Sequence, residues 1–554
     1  MKMIAILTYC YYICRNKIIF MRFFWSFFFF LILKLVAAQN SETFFNDVSI
    51  HNLHLQNHNI SIDDQEIETF KKDTSFLYQF GKIIPISFQL TDFDLVKIKE
   101  DGTQIYHLKI VAPKALALNL YFSQVQMDPS AKIFIFSPFE NKISPSIEAS
   151  QVLEDQTLIT DHYNGDMLWI EYHHPPNSDF QNPFIVSGLT YCYKPVKAGN
   201  GFGDSDFCMV NVACSESSNY SNAVAASLRI KVINVDGTTA WCSGTLVNNT
   251  SNNGTPYILT ANHCRINSSI SKLNDWEFYF NYQQPTCQRT TIEPTLLVLK
   301  GADFIASPGT DDGEFSSDFL LLKLKNSISK NWNVVFSGWN RTGAATSSGV
   351  SIHHPFGDVK KISTYKNQPT SVQYGSVGGT HFRVLWSATQ NGFSTTEGGS
   401  SGAGLFNANG HLIGALTGGG ASCQNNALPD FYGRFWFSWD RYGTISSQRL
   451  KDWLDPIQSN VTFLESIKHS EISSLNIVNP LNAFNIRFEN GQLKIQSEVK
   501  DYNIQVYDLS GKILYQSHAS FQFNSKDFSA SNGVYLVKIF TDNDLNTYKV
   551  QYTK

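Results

Sequence analysis

Short runs of β-branched and aromatic residues, separated by Pro, Gly, Asn and Asp, recur through most of this chain. Four of them lie at 105–111, 116–122, 132–136 and 167–172, and no long 3.6-residue helical pattern competes with them. Runs of this length bounded by turn residues are typical of β-strands. The pattern predicts an all-β protein, with a β-sandwich-like domain over residues 39–200.

The charge balance limits the classes of function that this chain can have. Among 554 residues, 43 basic and 47 acidic side chains give a formal net charge of −4, and only 16% of residues are charged. Because nucleic-acid binding requires a basic surface, the composition argues against a nucleic-acid partner. Hydrophobic residues make up 42%, enough for packed cores, and the length predicts three or four domains.

The N-terminus has the features of a secretory signal. Arg15, Lys17 and Arg22 precede an apolar stretch at 23–33, and small residues follow at 36–38. The alternative is a membrane anchor, but this stretch is too short to span a bilayer comfortably. We predict a signal peptide over 1–38, no membrane span after its removal, and a secreted or cell-surface protein.

Seven cysteines follow the predicted signal, and six of them lie between 208 and 423. They contain no CxxC pair, which argues against a zinc ribbon. In an oxidising compartment such cysteines form disulfides. We predict one disulfide-bonded central domain with Cys192 outside it, and spacing alone leaves fifteen pairings open.

Gly-rich and polar segments indicate the domain boundaries. A linker at 193–206 precedes a central domain at 207–457, and a second linker at 458–475 precedes a β domain at 476–554. The central domain ends in a short amphipathic helix before Pro456. Three apolar residues at helical spacing mark this helix: Leu450, Trp453 and Leu454.

Three segments of the central domain carry residues suited to acyl transfer. In chain order they hold His263, Asp318 and Ser401. Acyl transfer needs a nucleophile, a base that takes its proton and an acid that orients the base. We predict these roles for Ser401, His263 and Asp318 respectively. Each residue alone has an ordinary structural explanation, but all three in this order are hard to obtain by accident.

Glycines surround the candidate nucleophile at 398, 399 and 402. Since glycine permits tight backbone conformations, the amides of Gly399 and Ser401 are predicted to point together at a developing oxyanion. Asp318 precedes an apolar run at 319–322 that predicts a buried strand. That strand would keep the Asp318 carboxylate away from water.

Two other enzyme classes fit less well. Gly398, Ser400 and Gly402 match the nucleophile elbow of α/β-hydrolases, but that fold needs the order Ser, acid, His and alternating strands and helices. A metalloenzyme is also disfavoured, because no His-Glu-x-x-His motif is present. The two adjacent histidine pairs, at 173–174 and 353–354, would point their side chains to opposite faces of a strand. We predict neither a metal nor a cofactor.

These segments together resemble the trypsin-like serine endopeptidases and, more closely, the bacterial lysyl endopeptidases. The resemblance covers about 207–457. Its marks are Cys208, Cys214, residues 244–249, 259–264 and 353–362, the loop around Ser401, and residues 430–435. It implies a double β-barrel for the central domain and three disulfides: Cys208–Cys423, Cys214–Cys287 and Cys242–Cys264.

Substrate specificity depends on a carboxylate that can pair with a lysine ammonium group. In trypsin this acid lies six residues before the nucleophile, a position that Thr395 holds here. In lysyl endopeptidases the acid follows the last cysteine, and Asp430 matches it. The resemblance implies that Asp430 binds the substrate and that cleavage follows Lys. The alternative is a solvated turn aspartate after Pro429.

The sequence departs from the family pattern at two places. The family often has a His before the Gly-Gly that precedes the last cysteine, and here that residue is Thr417. Ala403 and Gly404 follow Gly402 where trypsin-like enzymes usually have Gly-Pro. Both departures bear on reaction rate or pocket shape and leave the three candidate catalytic residues in place.

The outer domains also have resemblances. Residues 39–200 are similar to the pro-region that precedes such proteases. Residues 476–554 resemble the C-terminal sorting domain of type IX secretion cargo, a small β-sandwich. The resemblance therefore implies type IX secretion machinery as a partner.

The expected function is a secreted serine endopeptidase that cleaves protein or peptide substrates on the carboxyl side of Lys. The alternatives are an endopeptidase of Arg or broader specificity and a non-catalytic secreted adhesin on a protease scaffold.

Overall fold

The computed structural model describes most of the chain outside its N-terminus. The described residues are 43, 45, 55–72, 77–196, 205–290, 294–309, 316–374, 377–472, 484–489, 492–497, 500–508, 511–525, 531, 533–540 and 545–552. The predicted signal peptide at 1–38 lies outside them. Within the described ranges, no helix combines the length and apolarity needed to cross a membrane.

The chain divides into two compact units. One comprises Met1–Asp73 and Gly81–Pro195, and the other comprises Thr74–Phe80 and Val196–Lys554. The segment Thr74–Phe80 therefore belongs with the central domain, although the sequence pattern grouped it with the N-terminal domain.

The first unit contains two sheets around one core. Leu108 and Ile170 from one sheet share this core with Leu120 and Leu189 from the other, so the unit is a β-sandwich. One sheet consists of Asn57–Asn59, Asp94–Ile98, Gln104–Val111, Met167–His174, Lys132–Ser137 and Lys142–Ile143. The other includes Ile185–Cys192, Ala117–Ser123, Leu158–Ile159 and Tyr163–Asn164, together with most of Tyr78–Phe88. Each of the four predicted strands agrees with an observed one to within two residues.

The second unit contains a sheet that curls into a nearly closed barrel. Its strands follow the order Val298–Lys300, Glu277–Phe280, Ser227–Ile233, Thr238–Val247, Tyr257–Ala261, Phe319–Leu324 and Ala302–Ala306. The first and last strands of this row are joined through the single residue Gly301. Because consecutive strands stand at opposite ends of the row, the sheet must close on itself.

A second sheet of this unit curls in the same way. Its strands follow the order Val210–Asn211, Lys361–Tyr365, Gly349–His353, Gly404–Asn407, Leu412–Gly419, Asp430–Arg434, Val377–Val384 and Thr370–Tyr374. Lys361–Tyr365 and Thr370–Tyr374 are consecutive in the chain yet lie near opposite ends of the row. The all-β prediction with a central double barrel is confirmed.

The predicted linker at 458–475 contains two short strands. Phe463–Leu464 pairs with Trp339–Asn340, and Ile467–Lys468 pairs with Val335–Phe336. The described part of this segment is thus joined to the central domain by backbone hydrogen bonds.

The C-terminal residues form a small sandwich. Phe484 and Ile495 from one sheet share a core with Ile504 and Val537 from the other. One sheet consists of Phe484–Glu489, Gln492–Ser497 and Gln522–Asn524, and the other of Ile513–Ala519, Tyr502–Tyr507, Gly533–Phe540 and Leu545–Tyr552.

Helices within the described residues are short. They are the α-helices Asp64–Lys72, Ser221–Ala226, Phe435–Asp440 and Lys451–Leu454, with 3-10 turns between other elements. The predicted terminal helix of the central domain is the last of these, and Leu454 is fully buried. The pattern did not predict Asp64–Lys72, in which Ile67 is the one buried residue.

Candidate active site

His263 and Asp318 meet at one end of a strand pair. Tyr257–Ala261 and Phe319–Leu324 are antiparallel, and Ala261 lies opposite Phe319. The chain just after the first strand therefore adjoins the residue just before the second. Nδ1–H of His263 donates to Oδ2 of Asp318 at 2.6 Å, and the His263 backbone N–H donates to Oδ1 at 2.9 Å.

The Asp318 carboxylate is held rigidly. Its side chain is fully buried, and its backbone N–H donates a hydrogen bond to Oγ of Ser316 at 3.1 Å. Its φ of 52° lies in the left-handed region, which Asp tolerates better than most residues. The Asn262 N–H donates to the Asp318 carbonyl oxygen at 2.8 Å. Both oxygens of the carboxylate thus face His263, which fixes the orientation of the imidazole ring.

The Cys242–Cys264 disulfide adjoins the backbone of Ser401. Sγ of Cys264, the residue after His263, is 3.9 Å from the carbonyl oxygen of Ser401. The same carbonyl accepts a hydrogen bond from the N–H of Ser243 at 2.8 Å. The Ser401 backbone therefore contacts Cys264, the residue after His263, and Ser243, the residue after Cys242.

All three disulfides pair as the resemblance implied. They are Cys208–Cys423, Cys214–Cys287 and Cys242–Cys264. Cys192 is buried in the first unit and takes part in none of them.

Glycine is required at two positions of the serine loop. Gly399 has a φ of 91°, and a Cβ there would lie 3.0 Å from the His354 carbonyl oxygen. Gly402 has a φ of 82°, and its Cβ would lie 2.1 Å from Oγ1 of Thr260. Within the described part of the chain, the amides of Gly399 and Ser401 donate no hydrogen bond. This arrangement suits two donors aimed at an oxyanion.

An aromatic segment of the predicted pro-region contacts the same loop. Tyr78 packs its ring 4.7 Å from that of Phe356, and its Cβ lies 3.1 Å from where a Cβ on Gly398 would be. Two residues later, Phe80 stacks on Trp241 at 4.5 Å with nearly parallel rings. These contacts lie within the second unit, and Tyr78 lies against the serine loop at Gly398.

Asp430 is a buried carboxylate with three hydrogen-bond donors. Trp386 Nε1–H and the Thr396 hydroxyl donate to Oδ2 at 2.6 and 2.7 Å, and the Ala421 N–H donates to Oδ1 at 3.3 Å. Burial raises its pKa to about 6, although these donors favour the charged form. Among the described residues, none supplies a cation to this group. The geometry excludes the alternative of a solvated turn aspartate.

Space for the Asp430 carboxylate depends on a neighbouring glycine. Gly419 lies opposite Asp430 in the sheet, and a Cβ there would be 2.2 Å from Oδ1.

Thr417, on the same strand as Gly419, is hydrogen-bonded through its hydroxyl to Nε2 of His381 at 2.9 Å. An imidazole from another strand therefore meets the side chain that replaces the family's usual histidine. Sequence reasoning did not identify Trp386, Thr396 or His381.

One group of possible metal ligands occurs among the described residues, namely Asp206, Glu397 and Cys423. Cys423 is bonded to Cys208, which leaves only two carboxylates. Burial raises the pKa of Glu397 to about 7. Two carboxylates are fewer than the ligands of a typical zinc site in a protein.

Residues 202–433 match the family model "Lysyl endopeptidase, C-terminal domain". The central domain is similar to the lysyl endopeptidases. A lysyl endopeptidase of Pseudomonas aeruginosa is 32% identical over 255 residues, which cover 43% of this chain and 52% of that protein. The chain thus spans about half the length of this curated relative.

Residues 489–552 match the family model "Secretion system C-terminal sorting domain". This match indicates a secreted or cell-surface protein, as the N-terminal and C-terminal sequence features predicted.

Two solved structures show weak overall similarity. An HtrA-type protease with a tripeptide has a TM-score of 0.27 and 15% identity, covering 40% of this chain and 60% of that one. A thermostable serine protease from an extremophilic microorganism, AL20, has a TM-score of 0.27 and 14% identity, covering 38% of this chain and 91% of that one.

The contacts of Gly402 predict a steric effect that can be separated from a conformational one. Gly402→Ala places a Cβ against the Thr260 hydroxyl, whereas Gly410 has a similar φ of 76° with no atom within 4 Å. We expect Gly410→Ala to lower the free energy of unfolding by about 1–2 kcal/mol. Gly402→Ala should cost about 1–3 kcal/mol more. Urea denaturation of both full-length variants measures the difference, and equal losses would contradict the proposed close packing at Gly402.

Proposed function

We propose that this chain is a secreted serine endopeptidase that hydrolyses peptide bonds through Ser401, His263 and Asp318. The observation that carries the proposal is the buried His263–Asp318 pair, joined at 2.6 Å beside the serine loop. In this reaction Nδ1–H of His263 stays bonded to Asp318, so Nε2 is the nitrogen that takes the Ser401 proton. The similarity to lysyl endopeptidases supports the same assignment.

In the first step, Ser401 Oγ attacks the substrate carbonyl carbon while His263 accepts the hydroxyl proton. The carbonyl oxygen becomes an oxyanion, and the amides of Gly399 and Ser401 donate to it. His263 then returns its proton to the leaving amine, and water hydrolyses the acyl-enzyme by the reverse sequence of proton transfers. One such donor contributes on the order of 10²–10³-fold in rate.

We further propose that Asp430 binds the ammonium group of a substrate Lys, so that cleavage follows this residue. Its burial and its three donors support a preorganised anion at this position. A lysine ammonium with its own three donors suits such a compact site, whereas the Arg head is bulkier and planar. Arg is therefore the closest competing substrate.

Maturation is proposed to occur by cleavage in the linker at 193–206. Lys197 is the candidate for self-processing, and it lies outside the described residues. The contacts of Tyr78 and Phe80 with Phe356 and Trp241 support a pro-region that covers one side of the serine loop before processing.

Ser401→Ala should abolish peptide hydrolysis and self-processing while the three disulfides still form, because the hydroxyl contributes little to packing. An organophosphate should label the wild-type protein at Ser401 and leave the variant unlabelled. Intact mass spectrometry of the secreted protein measures both effects. Ser400→Ala removes the neighbouring hydroxyl but keeps Ser401, so it should still be labelled at Ser401, at a lower rate than the wild type. Full activity of Ser401→Ala would exclude the assignment, and an unlabelled wild type would favour the adhesin alternative.

Asp430→Asn should lose Lys preference far more than serine reactivity. Removing one partner of a desolvated charge pair costs about 3–5 kcal/mol. That is on the order of a few hundred- to a few thousand-fold in kcat/KM for Lys peptides. A peptide-library digest read by mass spectrometry compares wild type with this variant. Asp303→Asn is the control, since Asp303 is half exposed and pairs with Lys325 at the surface. Unchanged Lys cleavage in Asp430→Asn would remove this residue from the specificity site.

The raised pKa of Asp430 predicts a pH-dependent specificity. Above its pKa of about 6 the carboxylate is charged and attracts Lys, and below that value it is neutral. The ratio of kcat/KM for a Lys peptide to that for its norleucine analogue should therefore fall about tenfold per pH unit below about 6. Because both peptides use the same catalytic residues, effects of pH on catalysis itself cancel in the ratio. A ratio that stays constant between pH 5 and 8 would be inconsistent with this pairing.

Removal of residues 476–554 should block export and leave catalysis intact. We propose that this domain is recognised by type IX secretion machinery, as its family match supports. In a host with that machinery, the truncated protein should accumulate in the periplasm and react with an organophosphate there. Fractionation followed by labelling gives both readouts. Normal appearance of the truncated protein in the medium would refute the sorting role.

A further inference from the structure

A second histidine–serine pair includes the residue that precedes the candidate nucleophile. His353 ends the strand Gly349–His353 and is fully buried. Its Nδ1 lies 2.8 Å from Oγ of Ser400, the residue before Ser401, and its Nε2 lies 2.9 Å from Oγ of Ser363. The proposed reaction uses none of these three side chains.

All the hydrogen bonds around this pair can form together in only one arrangement of donors and acceptors. The Glu397 N–H donates to Ser400 Oγ at 3.2 Å, and Ser363 Oγ donates to the Thr395 carbonyl oxygen at 2.9 Å. A neutral imidazole has one donor and one acceptor nitrogen. The Ser400 hydroxyl can therefore donate to Nδ1 while Nε2–H donates to Ser363. Ser394 Oγ, 3.1 Å away, is a further partner of Ser363.

Burial keeps this imidazole neutral. The pKa of His353 falls to about 3 because the ring is removed from water, with a smaller effect from the nearby Lys361 ammonium group. The ring therefore keeps the same donor and acceptor arrangement at any pH well above about 3.

Both ends of the chain of hydrogen bonds return to the serine loop. It begins at the amide of Glu397 and ends at the carbonyl of Thr395, so one imidazole braces the loop at two points. Between these points lies Thr396, whose hydroxyl holds Asp430 at 2.7 Å. Just after them lie the two amides at Gly399 and Ser401. The brace thus connects the candidate specificity pocket to the candidate oxyanion hole.

We propose that His353 is a positioning residue for the proposed peptide hydrolysis, acting through Ser400 to hold the Gly399 and Ser401 amides in their reactive geometry. It does not touch the substrate or exchange protons with it. The inference rests on the proposed function and adds to it a residue from a segment, 353–362, whose role the sequence left open.

Two substitutions divide the roles of the ring nitrogens. In His353→Asn the side-chain amide sits near the position of Nδ1 and can still accept from Ser400. In His353→Gln it sits near Nε2 and can still donate to Ser363. Both replace a buried ring by a smaller amide, so their losses of packing are similar. They differ mainly in which serine stays bound.

The test compares kcat, KM and melting temperature for these variants in the full-length chain. His353→Gln should lower kcat about 10²-fold, on the scale of one lost oxyanion donor, with little change in KM. His353→Asn should keep most of kcat at a similar melting temperature. Ser400→Ala combined with His353→Gln should lose no more than the larger single loss, because the two residues act as a unit.

His411→Gln is the structural control, since His411 is also buried but bonds to Glu465 away from the serine loop. It should lower the melting temperature without lowering kcat. Equal kcat for the Asn and Gln variants, or a kcat loss that follows melting temperature across all variants, would overturn the positioning role. If organophosphate does not label the wild type, both the proposed function and the positioning role of His353 are wrong. Labelled wild type with indistinguishable His353 variants overturns only the role of His353.

Discussion

The interaction on which the site depends is the bidentate contact between the buried Asp318 carboxylate and His263. One oxygen accepts a hydrogen bond from Nδ1–H of the ring and the other accepts one from the backbone N–H, so ring orientation and main-chain position are fixed together. The contact arises because Ala261 and Phe319 are register partners in the barrel sheet. A shift of one residue in that pairing would point Asp318 to the other face and separate the pair.

Around this pair, the shape of the site depends on the backbone as well as on the side chains. Positive φ values at Gly399 and Gly402 shape the loop that carries Ser401, and neighbouring atoms leave no room for a Cβ at Gly402. Asp430 depends on the same principle, because Gly419 makes the space that its carboxylate fills. In the proposed account, His353 braces the loop between these two places, so the specificity pocket and the oxyanion hole are supported by one buried imidazole.

Local patterns were enough to predict the strands and to select the candidate residues, because strand alternation and motif spacing each extend over only a few residues. The sequence missed Asp64–Lys72, since a helix with one buried side chain leaves little apolar periodicity. It also missed Trp386 and Thr396, which lie outside the strands and are 44 and 34 residues away from Asp430 in the chain. Likewise, nothing local in Tyr78–Phe80 indicates that these residues pack with the central domain.

The central claim is that an activated Ser401 faces a pocket whose anion is Asp430. The most direct measurement is covalent labelling of the secreted protein with a diphenyl phosphonate that carries a lysine-like side chain, compared with its norleucine analogue. Peptide mapping by mass spectrometry should find the label on Ser401. The lysine-like reagent should react at least about 10²-fold faster, as expected for a desolvated charge pair. Label on another residue, or equal rates for the two reagents, would contradict the account.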